Sequence, residues 1–484
     1  MKIKFDTSSA VQADACALFF VKKAILFSPV LSDEGEEQAA TVLAGMEKGP
    51  FDDLEFMEID GQPTVFVNAA KERGISSLDH LRMAGYRLGT FAQKRKLRSV
   101  GLMLADAADE QFKAILHGLL YSEYSFDMYK SKPAEKFEVT YMVAAMEKAA
   151  DFKQIAEIVE IEQEAVTLAK DLVNTPGSDM PPEEFVNVAK NIAKEAGLSI
   201  KVRDVKALGK EGFNGLLTVG KGSRFAPYMV TMTYAPKNAP KDRHLAIVGK
   251  GLTFDTGGIS LKPAKTMWEM KSDMSGAADT LAAIYAIAKL RLPIRVTAVM
   301  CLAENRIGPG AVLPGDIFKA KNGKTVMVEN TDAEGRLVLS DGLAEAGLEG
   351  ATHIIDLATL TGAMVRALGY AVTGFFSNDT EFSSLVLRSG TENCEKFWPM
   401  PLEEEYADAL KDKVADLCNT SPEAGAISAA LFLKEFVPEN TKWAHWDIAG
   451  TAFVSKPWKY TKSGATGFGI QTLITIADKL GEVQ

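Results

Sequence analysis

Along this chain the apolar residues fall into two rhythms. His244 to Val248, Ile294 to Leu302 and Thr352 to Leu357 are nearly unbroken apolar runs, the pattern of strands covered on both faces of a sheet. Thr64 to Val67 and Val100 to Leu104 are shorter runs of the same kind, bounded by polar residues. Between such runs the spacing becomes helical, over Ser77 to Lys96, about Asp151 to Leu172, and the alanine-rich Ala277 to Leu290. Asn174-Thr175-Pro176-Gly177 breaks the second of these helices. Pro181-Pro182 then opens another, with Glu183 and Glu184 in its first turn, where acidic side chains face the positive end of the helix dipole. Strands alternating with helices predict an α/β protein. The expected layout is a small N-terminal α/β domain over residues 1–150, a linker helix over 151–175, and a larger C-terminal domain over 176–484 with a central mixed sheet flanked by helices. In such sheets, ligand sites lie at the carboxyl ends of strands.

Size and composition agree. A chain of 484 residues is too long for one ordinary core. With 47% hydrophobic and 24% charged residues, disordered and fibrous classes are excluded. The net charge of -10 repels phosphate backbones, so DNA is not an expected partner. Lys94, Arg95, Lys96 and Arg98 form a small basic run, which reads as a solvated helix face. The four cysteines, Cys16, Cys301, Cys394 and Cys418, are far apart and form no CxxC pair, which suits free thiols in a reducing compartment. The N-terminus has no apolar core followed by a small-residue cleavage site, and no apolar run approaches the roughly 20 residues of a membrane span. A cytoplasmic protein without a membrane partner is expected.

Three polar clusters stand out against this frame. Gly249 to Pro263, GKGLTFDTGGISLKP, follows a predicted strand, is too glycine-rich to be a helix, and carries Lys250, Asp255 and Lys262. An ordinary strand-to-loop turn with solvated charges explains it equally well in isolation. Met270 to Ala277, MKSDMSGA, places Asp273 just before a predicted helix, where a capping aspartate is common. Asn330 to Leu337, NTDAEGRL, follows the strand candidate Thr325 to Val328. If it stays extended, Asp332, Glu334 and Arg336 point the same way. A surface salt-bridge patch is the bland alternative there. Together the clusters offer Asp255, Asp273, Asp332 and Glu334 at strand ends or loops. Carboxylates converging on one place repel without cations, and an oxygen-rich set suits magnesium, manganese or zinc. Four carboxylates suffice to bridge a pair of ions about 3.5–4 Å apart, as in two-metal hydrolases.

Other signals point away from competing chemistries. The five histidines, His80, His117, His244, His353 and His445, are scattered and form no HExxH, so they read as core or surface residues. Gly215 to Gly222, GLLTVGKG, approaches a phosphate-binding loop, but Gly222 stands where magnesium needs Ser or Thr.

The segment NTDAEGRL resembles the signature of the leucine aminopeptidase (cytosolic aminopeptidase) family. GKGLTFDTGGISLKP and MKSDMSGA resemble that family's two other metal-site motifs, in the same order and at similar spacing. The resemblance extends from Asn174 to Phe453. It implies a two-metal exopeptidase that releases leucine or other apolar residues from free peptide N-termini. The implied metal ligands are Lys250, Asp255, Asp273, Asp332 and Glu334, with Asp255 and Glu334 bridging. The implied ions are zinc or manganese first, magnesium or cobalt second. Lys250 would have to be neutral to act as a ligand. Lys262 and Arg336 would be the catalytic pair, the arginine holding a bicarbonate that serves as general base. Met270, Thr359 and Gly362 would line the first-residue pocket, and Asn330 and Leu360 would hold the substrate backbone. Ser272 occupies a position that is often aromatic in the family. The resemblance also implies a homohexamer. A dipeptidase, a DNA-binding role and a catalytically dead scaffold are the competing functions. The small basic run slightly favours DNA binding, and the intact set of charged residues disfavours the scaffold.

Overall fold

A computed structural model describes residues 1–6, 12–21, 24–26, 31–46, 54–69, 77–104, 106–135, 137–144 and 148–482. The chain forms two compact units, residues 1–163 with 457–462, and residues 164–456 with 463–484. The helix Ala149–Asn174 crosses that divide.

The first unit is built on a seven-stranded sheet. Its order is Lys2–Asp6, Thr140–Ala144, Ser99–Met103, Ala15–Val21, Gln62–Asn68 and Leu54–Ile59, with the short Ala24–Ile25 paired to Ala15–Val21. Pairing is parallel through the middle, and Leu54–Ile59 closes one edge antiparallel. The expected strands Thr64 to Val67 and Val100 to Leu104 lie in it as Gln62–Asn68 and Ser99–Met103. Ser77–Arg95 and Asp109–Glu123 are helices that bury Leu81, Leu88, Phe112, Ile115 and Leu119 against the sheet residues Val65, Val100 and Leu102. Lys94, Arg95, Lys96 and Arg98 are exposed, and the Arg95 guanidinium lies 5.5 Å from the centre of the Phe91 ring. That is the solvated face the sequence suggests.

The second unit holds an eight-stranded mixed sheet. The order is Phe397–Pro399, Thr373–Ser377, Lys442–Asp447, His353–Ala358, His244–Asp255, Arg295–Asn305, Tyr228–Tyr234 and Ser199–Arg203. The four middle strands, from Lys442–Asp447 to Arg295–Asn305, run parallel. Three of them are the apolar runs of the sequence, and Lys442–Asp447 is a fourth that the pattern did not mark. Leu245, Ile247, Val248, Val296, Val299, Leu302, Ile354, Ile355 and Leu357 are all 0% exposed. Each fully buried side chain of this size stabilises the fold by roughly 1.5–3 kcal/mol. Exposed ion pairs such as Lys411–Asp408 are screened by solvent and add little, so the sheet core, not surface charge, holds the unit together.

Helix Ser275–Lys289 is pressed onto the middle of this sheet. A Cβ at Gly276 would come within 2.1 Å of the Leu357 carbonyl oxygen, and one at Gly249 within 2.4 Å of the Gly276 carbonyl oxygen. Only glycine permits that approach. It brings the start of the helix against the strand that carries Lys250. Among the described residues no helix is long and apolar enough to cross a membrane, and none of the four cysteines is in a disulfide.

Candidate active site

The four parallel strands end side by side, and their carboxyl ends carry the polar residues. Asp255 is the last residue of His244–Asp255 and Asn305 the last of Arg295–Asn305. Thr359 follows His353–Ala358, and Asp447 ends Lys442–Asp447. This is the edge at which parallel sheets present their sites. The strand expected to stop at Val248 continues through Gly249-Lys250-Gly251 to Asp255, so Lys250 is held on rigid backbone rather than in a loop.

Two expectations about local structure are corrected. Asp273 does not cap the following helix. It terminates the short helix Ala264–Ser272, while Met274 is the capping residue of Ser275–Lys289. Its carboxylate is used elsewhere. Nor does the segment Asp332 to Arg336 stay extended: the strand ends at Met327, the chain turns, and Gly335 begins the helix Gly335–Leu348. The residues therefore diverge. Asp332 faces Lys262 and Glu334 faces Lys250, whereas Arg336 donates to the Asn419 carbonyl at 2.8 Å.

The result is a buried knot of charge. The Lys250 Nζ lies 2.8 Å from Asp273 Oδ2 and 2.9 Å from Glu334 Oε1, and donates to the Thr359 carbonyl at 3.0 Å. The Lys262 Nζ lies 2.8 Å from Asp255 Oδ2 and 2.5 Å from Asp332 Oδ1. Asp255, Asp273 and Glu334 each place a carboxylate oxygen within 4.8 Å of the others, and all three are at most 4% exposed. Asn305 Nδ2 and the Gly257 amide, each at 2.8 Å, fix the other Asp255 oxygen. Thr359 Oγ1 donates to Asp273 Oδ1 at 2.7 Å.

Two ammonium groups face four carboxylates, and the electrostatics register the shortfall. Burial, reinforced by Glu334 and Asp273, pushes Asp255 up to about 8. Burial likewise lifts Asp273 to about 6 against the pull of Lys250. Burial also opposes ionisation of Glu334, but Lys250 and Lys262 outweigh it and hold that carboxyl low. For Lys250 burial opposes the charge, yet Asp273, Glu334 and Asp255 raise it above the ordinary lysine range. Carboxylates crowded together and pushed against ionisation by burial fit a site that takes divalent cations.

Two cavities open on this knot. One, of about 550 Å³, is lined by Lys250, Asp255, Lys262, Met270, Ser272, Asp273, Asp332, Glu334, Thr359, Leu360 and Gly362, with Met267, Val365, Ala449 and Phe453 adding apolar wall. The other, of about 690 Å³, is lined by Asn330, Asp332, Arg336, Leu360, Thr361, Gly362, Glu329, Thr420 and Ser421. Asp332, Leu360, Thr361 and Gly362 belong to both, so the Leu360–Gly362 segment forms the ridge between them. Every metal, catalytic and substrate-binding residue that the resemblance implies lines one cavity or the other. Arg336 is buried, its Nε has no hydrogen-bond partner, and burial lowers its pKa to about 10.

Some supporting residues carry no mark in the sequence. Asn419 is fully buried. Its side chain accepts from the Glu329 and Asn330 amides and donates to the Asn330 and Ala333 carbonyls, while its own carbonyl holds Arg336. Asn305 ties Asp255 to the Thr331 carbonyl. Only their positions in space reveal them.

A family model described as the cytosol aminopeptidase family, catalytic domain, matches residues 167–474, which include the whole charged knot. This chain belongs to the cytosol aminopeptidase family. It is similar to a probable cytosol aminopeptidase of Streptomyces avermitilis, 44% identical over 405 residues, covering 82% of this chain and 78% of that protein. A probable cytosol aminopeptidase of Geobacter sulfurreducens is 39% identical over 444 residues, covering 91% and 88%. Among solved structures, a mutant of tomato leucine aminopeptidase matches with a TM-score of 0.88 at 29% identity, over 99% of this chain and 96% of that one. The bottromycin maturation enzyme BotP in complex with Mn matches with a TM-score of 0.85 at 31% identity, over 97% and 100%. The protein is thus a metallo-aminopeptidase of the cytosol aminopeptidase family, and its acidic cluster fits divalent metal ions.

Proposed function

We propose that this aminopeptidase releases leucine and other apolar residues from free peptide N-termini with two divalent cations. Lys250, Asp255, Asp273, Asp332 and Glu334 would hold the ions, with Asp255 and Glu334 serving both. The observation that carries this reading is the convergence of these five groups on one cavity whose far wall is apolar. Bound there, the cations supply Lewis-acid activation of water and of the scissile carbonyl.

The chain's own residues do the rest. Lys250 takes the role of a ligand only after its proton leaves, because a lone pair is needed. Asp273, fixed by Thr359, anchors the end of the cavity where the substrate amine sits, which confines cleavage to the first residue. Lys262, held by Asp255 and Asp332 and 21% exposed, is placed to stabilise charge developing on the carbonyl oxygen. Arg336, with Nε unpartnered, is placed to hold a bicarbonate in the second cavity. Met270, Thr359 and Gly362 shape the first-residue pocket, with Met267, Val365 and Phe453 making it apolar. Asn330 and Leu360, both lining the second cavity, hold the peptide backbone. Zinc or manganese is the expected metal, since a structural relative is recorded with Mn. A cytoplasmic homohexamer is the expected working form.

Titration of metal-stripped protein with manganese tests the reading. It requires two ions per chain, and loss of both in Asp255→Asn. A single ion retained by that variant would overturn the bridging assignment.

A further inference from the structure

The ridge between the two cavities is held from behind by one buried carboxylate. Asp447, 1% exposed, closes the strand Lys442–Asp447 and lines neither cavity. Its Oδ1 accepts the Leu360 amide at 3.2 Å, the Thr361 amide at 3.4 Å and the Ala449 amide at 3.2 Å. Its Oδ2 accepts the Thr361 hydroxyl at 2.6 Å. That hydroxyl in turn accepts the Met364 amide at 3.0 Å and so caps the helix Gly362–Leu368. Among the described residues Asp447 makes no salt bridge; burial raises its carboxyl, and His445 and these hydrogen bonds counter only part of that cost. Three of the four go to Leu360 and Thr361. Ala449, which takes the fourth, is itself cavity wall.

The same segment reaches the charged knot at its other end. The Thr359 carbonyl accepts from Lys250 and the Thr359 hydroxyl donates to Asp273. The start of the ridge is thereby fixed on both sides of Leu360, by Thr359 tied to the knot and by Thr361 tied to Asp447. Behind Asp447, two residues earlier on its strand, His445 Nδ1 lies 2.6 Å from Asp356 Oδ1, and Trp443 Nε1 donates to Asp356 Oδ2 at 2.6 Å. The ridge therefore rests on a rigid, fully buried support.

We propose that Asp447 is the positioning residue that sets first-residue selectivity, by holding Leu360, Thr361 and Gly362 in register with Thr359. This rests on the aminopeptidase reading above. A leucine side chain reaches the wall that this ridge and Ala449 form, whereas an alanine side chain falls short of it. Loosening the wall therefore penalises leucine more than alanine.

The test compares kcat/KM for leucine and alanine p-nitroanilides in manganese-loaded wild type, Asp447→Ala, Asp447→Asn and Thr361→Val, with metal content and thermal unfolding measured on each. Wild-type cleavage of the leucine substrate checks the underlying reading separately. In Asp447→Ala the leucine-to-alanine ratio falls roughly tenfold or more at unchanged metal content, since a displacement of about 1 Å costs up to 10²-fold in rate. Asp447→Asn keeps an acceptor for the amides and recovers most of the ratio. Thr361→Val, which removes only the hydroxyl bond, shifts the ratio in the same direction and decides the matter if Asp447→Ala does not fold. Equal loss on both substrates, with the ratio unchanged in all three variants, would overturn the proposal and leave Asp447 a purely structural residue.

Discussion

Gly335→Ala separates the stability of this protein from its chemistry. Gly335 is the first residue of the helix Gly335–Leu348 and packs on the tip of Lys250. A Cβ there would lie 2.6 Å from Lys250 Cε, 2.7 Å from Nζ and 2.8 Å from Cδ. Comfortable carbon contacts need about 3.5–4.0 Å, so the lysine tip must retreat by about 1 Å. The fold tolerates this, because the obstacle is the end of a flexible side chain. Overpacking costs about 1–3 kcal/mol, and the gain of Ala over Gly in a helix returns about 0.5–1 kcal/mol. The net destabilisation is about 0–2.5 kcal/mol. The chemistry is less forgiving. Lys250 is pinned by Asp273, Glu334 and the Thr359 carbonyl within 3.0 Å, and a shift of about 1 Å breaks that geometry at a cost of up to 10²-fold in rate. The assay is kcat/KM on leucine p-nitroanilide after manganese loading, beside thermal unfolding of the same sample. A folded variant with kcat/KM within about twofold of wild type would refute both the placement of Lys250 and the reasoning.

Other substitutions probe other parts of the account. Arg336→Met keeps the bulk but removes the guanidinium from the second cavity, and is expected to lower kcat about 10²-fold with metal content unchanged, as read by metal analysis and steady-state kinetics. Met270→Ala opens the apolar wall and should lower kcat/KM for leucine about tenfold relative to phenylalanine, measured on paired p-nitroanilides. Asp341 is buried beneath the Leu216 amide, which it binds at 2.8 Å, and burial raises its carboxyl to about 8. A folded-state value above the unfolded one means that the native protein keeps a proton the unfolded chain releases. The resulting loss of stability is absent below about pH 4, grows up to about pH 8, and amounts to a few kcal/mol. Asp341→Asn should flatten that decline, as urea unfolding at a series of pH values would show.

Much of this was legible beforehand because local pattern and tertiary role coincide. The runs Ile294 to Leu302 and Thr352 to Leu357 are unbroken because both faces of their strands are covered, so periodicity alone places them at the centre of the sheet. The helices Ser77–Arg95 and Pro182–Ala196 begin where their polar or proline signals stand. The site was legible because Gly249 to Pro263 and Asn330 to Leu337 concentrate charge where apolar runs end. Its local geometry was not. Asp273 carries the sequence signs of a helix cap, but the cap falls to Met274 because Lys250 and Thr359 claim the carboxylate. Alternation suggested that Asp332, Glu334 and Arg336 share a face, yet the chain turns into a helix at Gly335. Asn419 and Asp447 were silent because their contacts with Arg336 and with Leu360 and Thr361 span 83 or more residues of chain.

The most direct test of the central claim is hydrolysis of leucine amide and of N-acetyl-leucine amide by metal-stripped protein and by the same protein refilled with manganese or zinc. The account predicts cleavage of the free-amine substrate alone, abolished by stripping and restored by refilling. Activity that survives stripping, or that accepts the acetylated substrate equally, would contradict it.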